Sequence, residues 1–459
     1  MRRFIVVGGG ISGLTAARDL ADAGHDVLLL EATDRLGGKL RRGEVAGVTV
    51  DVGAEAMINR RPEAVALATA VGLPVTHPTA ATSRVWTRGA LRPLPRTLMG
   101  APLDLDQLEA SGILSPEGVT RARHQQVPHP DGDVSVGDLV AARYGDEVVD
   151  RLVEPLLGGV YAGQARAISA RAAVPQLLDL LTRDQISVPD PPTAAAPVFA
   201  GVPGGMWQLP EAVAAALAGS GRVDVRRDVV VREVRRTPEG LAVVADQLGI
   251  VSVEAADGVV VATPAAPTAR MLADLAPVAA RELAGIDYAS SALVTFAFRA
   301  DPDVTAAIDV GASGFLVPPV DGRAVKAATF SFAKWEWVRA AGLDKLDHQT
   351  DLLLFRTSLG RHGEEQALQV PDDELVRASL EDLAAATGLT AAPVDAVVQR
   401  WGGGLPQYAV GHVERVARIR AAVAEVPGLA VCGAAYDGVG IAACVASGHR
   451  AAGEVAAAG

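Results

Sequence analysis

The first thirty residues contain the pattern that most constrains how this chain can fold. A short apolar run, Phe4–Val7, precedes glycines at positions 8, 10 and 13, and a helical pattern follows from Ser12 to Ala23. A second apolar run, Asp26–Leu30, ends at Glu31. Strand, glycine turn, helix, strand and acid in this order predict a parallel βαβ unit that binds the pyrophosphate of a dinucleotide.

The three glycines have separate tasks in such a turn. Gly8 permits the tight turn, Gly10 lets a pyrophosphate approach the backbone, and Gly13 lets the helix pack closely on the strand. The helix N-terminus offers free N–H groups and a positive dipole end to the phosphates. Glu31 can accept hydrogen bonds from ribose hydroxyls, which favours an unphosphorylated adenosine ribose and therefore FAD or NAD.

The stretch after Glu31 favours FAD over NAD. Arg35, Gly37 and Gly38 form an R-x-G-G pattern that resembles the extended fingerprint of FAD enzymes of the amine oxidase and glutathione reductase type. Glycines there let the chain cross the cofactor closely, and Arg35 can pair with a phosphate. Because no second G-x-G-x-x-G lies between a strand and a helix, we expect no separate nicotinamide domain, and electrons should leave to oxygen or another small acceptor.

A second glycine-rich turn near the C-terminus mirrors the first. Leu429–Cys432 is expected to be a strand, Gly433–Gly440 a turn and Ile441–Ala457 a helix of small residues. The positive end of that helix suits the N1–C2=O edge of a flavin, where negative charge collects on reduction. Val231 lies in a strand expected to flank the adenine. The residues expected to contact the cofactor are Gly8, Gly10, Ile11, Ser12, Gly13, Glu31, Ala32, Arg35, Gly37, Gly38, Lys39, Gly53, Ala54, Glu55, Val231, Thr263, Trp401, Gly433, Gly438, Val439, Gly440 and Ile441.

The order of the segments predicts a mixed α/β (α+β) fold with three parts. These are a Rossmann-like FAD-binding domain, a substrate-binding domain on a mixed sheet, and an inserted helical domain that lines the active site. The expected boundaries are 1–75, 200–265 and 415–459 for the FAD-binding domain, 76–96 and 266–414 for the substrate-binding domain, and 97–199 for the insert.

Charge and cysteine content exclude several classes of function. The net charge of −12 and the pI of about 5.2 argue against nucleic acid as a partner. The two cysteines, Cys432 and Cys444, form neither a disulfide framework nor a metal-ligand set. With no secretory or membrane-spanning pattern, we expect a cytoplasmic protein whose membrane contact is at most peripheral.

Several further stretches carry a resemblance that runs from the first residue to the last. The most specific are EPLLGGVYAG at Glu154–Gly163 and LPQYAVGH at Leu405–His412. Others are Asp51–Ala56, Val202–Met206 and Arg400–Trp401. Together with the two glycine turns, they resemble the bacterial protoporphyrinogen and coproporphyrinogen III oxidases, which are FAD-dependent members of the amine-oxidase-like superfamily.

The resemblance implies a particular chemistry in haem biosynthesis. A porphyrinogen loses six electrons and six protons, two at a time, by hydride transfer from a macrocycle carbon to flavin N5. Molecular oxygen would reoxidise the flavin and give hydrogen peroxide, and the porphyrin product could pass to a chelatase. The cofactor carries such chemistry, while the protein supplies orientation and electrostatics.

The resemblance also implies roles for individual side chains. Glu55 is the candidate catalytic residue, because a carboxylate beside the flavin could orient pyrrole N–H groups or accept a proton. Arg84 matches the place of a propionate-binding arginine, whose planar guanidinium suits a carboxylate. Gly159 and Tyr161 are expected to line the macrocycle pocket. Phe332 and Lys334, on a strand predicted within Gly314–Phe332 and just beyond it, could face the same cavity.

The sequence is also compatible with other substrates and with other functions of the same fold. Arginines near the pocket favour coproporphyrinogen III, which has four carboxylates, over protoporphyrinogen IX, which has two. An amine oxidase of the same fold would usually have paired aromatic residues in front of the flavin, whereas the C-terminal turn contains only Tyr436. A flavin-binding protein without activity would be expected to have lost site residues, but both glycine turns and Glu55 are present.

Overall fold

The computed structural model describes residues 1–186, 196–343 and 351–458, so residues 187–195 of the expected insert lie outside the described part. The strands are β1 (Arg3–Val7), β2 (Asp26–Leu30), β3 (Arg42–Val45), β4 (Val48–Asp51), β5 (Met57–Ile58), β6 (Thr82–Thr87), β7 (Ala90–Pro93), β8 (Thr97–Leu98), β9 (Ala101–Pro102), β10 (Phe199–Ala200), β11 (Val223–Arg226), β12 (Val229–Thr237), β13 (Gly240–Gln247), β14 (Ile250–Ala256), β15 (Gly258–Val261), β16 (Tyr288–Arg299), β17 (Ala312–Leu316), β18 (Val325–Thr329), β19 (Leu352–Leu359), β20 (Asp395–Pro406) and β21 (Leu429–Val431). The helices are α1 (Ile11–Asp22), α2 (Pro62–Ala70), α3 (Leu105–Ser111), α4 (Pro116–Arg123), α5 (Val136–Tyr144), α6 (Asp146–Val148), α7 (Glu154–Tyr161), α8 (Ala170–Ala173), α9 (Pro175–Leu181), α10 (Gln208–Ser220), α11 (Ala265–Met271), α12 (Pro277–Ala284), α13 (Pro302–Ile308), α14 (Ser331–Lys334), α15 (Glu336–Leu343), α16 (Asp372–Thr387), α17 (His412–Ala424) and α18 (Ile441–Ala457).

A parallel sheet in the order β11-β2-β1-β15-β21 forms the centre of the nucleotide-binding part. The apolar runs in these strands are buried on both faces, as in a sheet covered by helices on each side. Phe4 and Val6 of β1 belong to the core cluster that contains residues of α1, α10 and α18. Ile5 and Val7 belong to the opposite cluster, which includes residues of β13, α12 and α17. The Rossmann-like part of the predicted mixed α/β fold is thereby confirmed.

A mixed sheet in the order β20-β16-β19-β18-β17-β6-β7 forms the second part. Only β17 and β6 pair in parallel, and the other neighbouring strands are antiparallel. One face packs a phenylalanine-rich core against α16, which includes Phe296, Phe355 and Leu383. The other face carries Arg356 of β19, whose guanidinium donates to the Gly53 carbonyl of the nucleotide-binding part at 2.7 Å.

The strand predicted within Gly314–Phe332 is replaced by three elements, so this expectation is wrong in detail. β17 ends at Leu316, a turn follows, β18 begins at Val325, and α14 contains Phe332 and Lys334. Two adjacent prolines at positions 318 and 319 and Gly322, with φ of +65°, account for the turn. Phe332 and Lys334 therefore lie on a short helix rather than on a strand.

The insert is built from α3 to α9 around its own core, preceded by the short β8–β9 hairpin. One turn of π-helix at Val149–Val153 precedes α7, and Pro155 is the second residue of α7. Proline lacks the N–H of a regular helical bond, which accounts for the widened turn. Near its C-terminal end, α7 faces the mixed sheet at Leu316, so it forms a wall opposite that sheet.

Candidate flavin and substrate site

Of the three glycines in the N-terminal turn, two have no room for a side chain, which we call closed positions, and one has free space beside it, which we call the open position. A Cβ added at Gly8, where φ is +108°, would lie 2.6 Å from the Ala262 carbonyl oxygen. A Cβ at Gly13 would lie 1.9 Å from the Gly8 carbonyl oxygen. A Cβ at Gly10, just before α1, would meet no protein atom within 4 Å. Gly8 and Gly13 thus serve the packing of strand on helix, while the space beside Gly10 is free for a phosphate.

Glu31 at the end of β2 is held against this turn. Its Oε2 accepts from the Gly9 N–H at 2.7 Å, and its Oε1 accepts from the N–H and hydroxyl of Thr33 at 2.9 and 2.8 Å. The carboxylate is therefore oriented at the edge where a ribose would lie. The Arg35 guanidinium donates to the Gly38 carbonyl at 2.9 Å, so its pairing with a phosphate stays a prediction.

The C-terminal turn brings a second helix N-terminus to the same edge of the parallel sheet. β21 leads into Gly433, and α18 starts after Gly440, where an added Cβ would meet nothing within 4 Å. Gly438 has φ of +140°, and a Cβ there would lie 2.8 Å from the Ala443 Cβ. Because α1 and α18 each follow a strand of the same parallel sheet and pack together, their positive N-termini lie at one edge of the sheet and face one groove.

Glu55 lies in a compact ionic cluster between the two parts of the protein. The Lys334 ammonium is 2.6 Å from Oε1, the Arg356 guanidinium is 3.3 Å from Oε2, and the Ser331 hydroxyl donates to Oε2 at 3.2 Å. Only 8% of Glu55 is exposed. Burial alone would raise its pKa, but Arg356 and Lys334 outweigh burial and lower the pKa to about 2.

This arrangement separates the two roles considered for Glu55. A carboxylate with a pKa of about 2 is a weak proton acceptor near neutral pH. It remains a strong hydrogen-bond acceptor, so the geometry favours orientation of donor N–H groups over removal of a proton.

The backbone before Glu55 is clamped from three sides. A Cβ at Gly53 would lie 2.0 Å from the Lys39 carbonyl oxygen and 3.3 Å from the Trp401 ring. The Trp401 indole N–H donates to the Val52 carbonyl at 3.0 Å. With Arg356 bound to the Gly53 carbonyl, the segment has a fixed path beside the groove.

Several of the expected cofactor contacts form the open surface of this groove. Ala32, Gly38, Lys39 and Ala54 are exposed, although their neighbours Gly37, Leu40 and Glu55 are buried. This combination of exposed and clamped backbone fits a bound dinucleotide along the edge. Val231 is half-buried against the second core cluster, and the Thr263 hydroxyl lies 2.8 Å from that of Thr268. Their contact with the adenine or the flavin stays a prediction.

The expected macrocycle-lining residues differ in their exposure. Gly159 is exposed, and a Cβ there would lie 3.8 Å from the Leu316 Cδ2 of the facing sheet. Tyr161 is buried, its ring centroid lies 5.5 Å from that of Tyr408, and burial raises its pKa to about 12. Phe332 is 1% exposed and stacks on Phe330, so the structure places it in the core.

Arg84 is not brought together with Glu55. The β6–β17 register sets Arg84 beside Phe315 and Val85 beside Leu316. Because side chains alternate along a strand, Arg84 lies on the Phe315 face of the sheet, opposite the face of Leu316. A propionate contact from Arg84 would therefore need a path around the sheet edge.

Sequence reasoning missed Arg356, Ser331 and Asp51. The single charge of Arg356 within the run LLLFRTSL was a usable signal, because a lone charge in a buried strand needs a partner. Asp51 accepts the N–H groups of Met206 and Trp207 at 2.8 and 2.9 Å. Burial raises its pKa to about 7 despite these bonds.

Comparison with known proteins assigns this architecture to a class. Residues 11–456 match the family of flavin-containing amine oxidoreductases, so the chain belongs to that family and flavin is its class of cofactor. It also belongs with coproporphyrinogen III oxidases. It is 38% identical to that of Mycobacterium tuberculosis, over 98% of this chain and 96% of the relative. It is 27% identical to that of Bacillus subtilis, over 98% and 97%.

Solved structures agree on the fold. A provisionally named protoporphyrinogen oxidase from Exiguobacterium is 28% identical, with a TM-score of 0.83 over 99% of this chain and 98% of that one. A cyclohexylamine oxidase from Brevibacterium oxydans is 18% identical, with a TM-score of 0.71 over 99% of each chain, and shows the fold alone. None of the described helices combines the length and the apolar character needed to cross a membrane.

We expect Gly10→Ala and Gly13→Ala to fail in different ways. Gly10→Ala should keep the stability of the apoprotein but weaken flavin binding about tenfold or more, because its methyl group occupies phosphate space. Gly13→Ala should lose flavin and also about 2 kcal/mol of unfolding free energy, because helix and strand must separate. Flavin titration and urea unfolding of the apoproteins measure both quantities. Equal losses of stability in the two variants would contradict this division.

Glu55→Gln should lower the free energy of unfolding by about 3 kcal/mol at pH 7, because the half-buried Lys334 and Arg356 lose the buried anion between them. The folded-state pKa of Glu55 lies below its ordinary value of 4.5, so the stabilisation is complete above that value and is lost as the pH falls toward 2. The gap between wild type and variant should therefore shrink as the pH falls below about 5.

Urea unfolding at several pH values measures this gap. Glu211→Gln is the matched control, because its carboxylate is exposed and lies 3.9 Å from Arg42. Its effect should stay below about 0.5 kcal/mol at every pH. A gap for Glu55→Gln that widens on acidification would refute the assignment of an ionised, doubly paired carboxylate.

Proposed function

We propose that this protein is an FAD-containing porphyrinogen oxidase whose substrate is coproporphyrinogen III and whose electron acceptor is molecular oxygen. The near-full-length relatives named coproporphyrinogen III oxidase support the substrate. Bound FAD would supply the two-electron oxidation of each step. In the same proposal, hydrogen peroxide is the by-product, the porphyrin passes to a chelatase, and the enzyme works in the cytoplasm.

The chain offers a coherent set of residues to hold FAD. The open space at Gly10 and the N-terminus of α1 would bind the pyrophosphate, and Glu31 would accept hydrogen bonds from the ribose. The N-terminus of α18 after Gly440 would face the flavin edge that becomes negative on reduction. The unphosphorylated ribose expected beside Glu31 fits the adenosine half of FAD.

The observation that carries the proposal is the fixed, paired carboxylate of Glu55, which directly follows Ala54 on the exposed surface of this groove. Lys334 and Arg356 keep the carboxylate charged while most of its surface is buried. An anion fixed in this way can accept hydrogen bonds from the pyrrole N–H groups of a porphyrinogen. It would orient one macrocycle carbon at a time and would stabilise the positive charge that develops there as hydride leaves.

The C-terminal turn of α7 offers a surface on which a large ring could lie. Gly159 is exposed there, and the absence of a side chain leaves the surface beside Leu316 uncovered. An added Cβ would already be in van der Waals contact with Leu316, so the macrocycle would lie over this surface and not between α7 and the sheet.

The test compares three substrates with the purified, FAD-loaded protein. Coproporphyrinogen III should reduce the flavin without oxygen and, in air, should give porphyrin fluorescence with oxygen uptake, at a higher kcat/KM than protoporphyrinogen IX. Samples without enzyme correct for autoxidation. Preference for protoporphyrinogen IX would change the substrate assignment. Reduction by putrescine but by neither porphyrinogen would establish an amine oxidase instead.

Gly159→Leu should lower kcat/KM for the porphyrinogen by about tenfold or more, because the new side chain would cover the surface beside Leu316 on which the ring is proposed to lie. Flavin content should stay at the wild-type level. Gly219→Leu is the matched control, because Gly219 is also an exposed glycine near a helix end with open space around it. Equal activity of Gly159→Leu and wild type would show that the macrocycle does not bind beside Gly159.

A further inference from the structure

Tyr408 joins the two ends of the C-terminal turn through a single hydroxyl group. The hydroxyl donates to the Ala434 carbonyl at 2.6 Å and accepts from the Gly438 N–H at 2.7 Å. Tyr408 has no exposed surface, so both bonds are shielded from water. One side chain thereby fixes the distance between two backbone positions of the turn that leads into α18.

The surroundings of Tyr408 hold its ring in place. The ring stacks on His412 with centroids 4.0 Å apart, and the Tyr161 ring lies on another side at 5.5 Å. The preceding residue, Gln407, donates to the Tyr161 carbonyl at 2.8 Å. Burial raises the pKa of Tyr408 well above its ordinary value, so the hydroxyl keeps the proton that it donates.

The turn itself contains another buried tyrosine hydroxyl, but this one does not bridge two backbone positions. Tyr436 is 3% exposed, and its hydroxyl has no hydrogen-bond partner among the described residues. The two tyrosines therefore form a natural pair for comparison. Each can lose one buried oxygen, but only the loss from Tyr408 releases the backbone.

We propose that Tyr408 is a positioning residue for the flavin, because its hydroxyl sets the path of the turn from Ala434 to Gly438 and so aims the N-terminus of α18. This inference rests on the proposed use of FAD, but it does not depend on the substrate. A correctly aimed helix end stabilises the reduced, anionic flavin more than the oxidised one. Release of the turn should weaken both the binding and the reduction of the cofactor.

The test compares Tyr408→Phe with Tyr436→Phe. For Tyr408→Phe we expect the dissociation constant of FAD to rise about tenfold, which matches the loss of one to two hydrogen bonds. The two-electron reduction potential should also fall by about 30 mV, the equivalent of a tenfold change. Tyr436→Phe should change the dissociation constant by less than about twofold and the potential by less than the equivalent of about 9 mV. Neither measurement uses a porphyrinogen, so a wrong substrate would not affect them.

Two results would overturn the proposal. One is a Tyr408→Phe protein that is less stable but has the FAD affinity and potential of wild type, since the hydroxyl would then be structural only. The other needs no variant and applies even if Tyr408→Phe does not fold. The Gly438 N–H of the wild-type protein should exchange slowly with deuterium, and rapid exchange would show that the bond to Tyr408 does not persist.

Discussion

The contact between Glu55 and its two cations determines how the halves of the molecule fit together. A buried carboxylate without a partner would cost several kcal/mol, and so would a buried ammonium or guanidinium. The nucleotide-binding part supplies the anion. The mixed sheet supplies Arg356, and the short helix after β18 supplies Lys334. Because Glu55 is buried and the two cations are half-buried, the carboxylate depends on both of them to stay ionised. The two parts must therefore dock in one register, and the wall of the groove is fixed when the fold forms.

Much of the fold is determined locally, and sequence patterns predict that part well. The predicted bounds of α18, Ile441–Ala457, agree with the structure residue for residue. α16 ends at Gly388, whose φ is +79°, and α18 starts after a glycine turn. Strong periodicity and clear end signals specify such elements without help from distant residues. The closed positions Gly8 and Gly13 and the open position Gly10 follow from the same local geometry.

The parts that sequence patterns did not predict depend on contacts between distant segments. Nothing near Arg356 in sequence says that its guanidinium meets a carboxylate three hundred residues earlier. Phe332 fits a strand by composition, but the turn before β18 shifts the chain into a helix and the ring into the core. The face of the sheet on which Arg84 lies depends on the pairing of β6 with β17, which the arginine pattern does not specify.

The nucleotide-binding part is assembled from segments that lie far apart in the chain, and this has a consequence for biosynthesis. β1 and α1 leave the ribosome long before β21 and α18, which add the fifth strand to the sheet and pack on α1. Until then the side of α1 that packs on α18 is uncovered, although α10 can already cover another side, and the groove lacks its second helix end. Contacts between segments more than four hundred residues apart form slowly, and the intermediates that precede them expose apolar surface and are prone to aggregate. A nascent chain of this protein should thus depend on chaperones for most of its translation, and it should acquire its cofactor only afterwards.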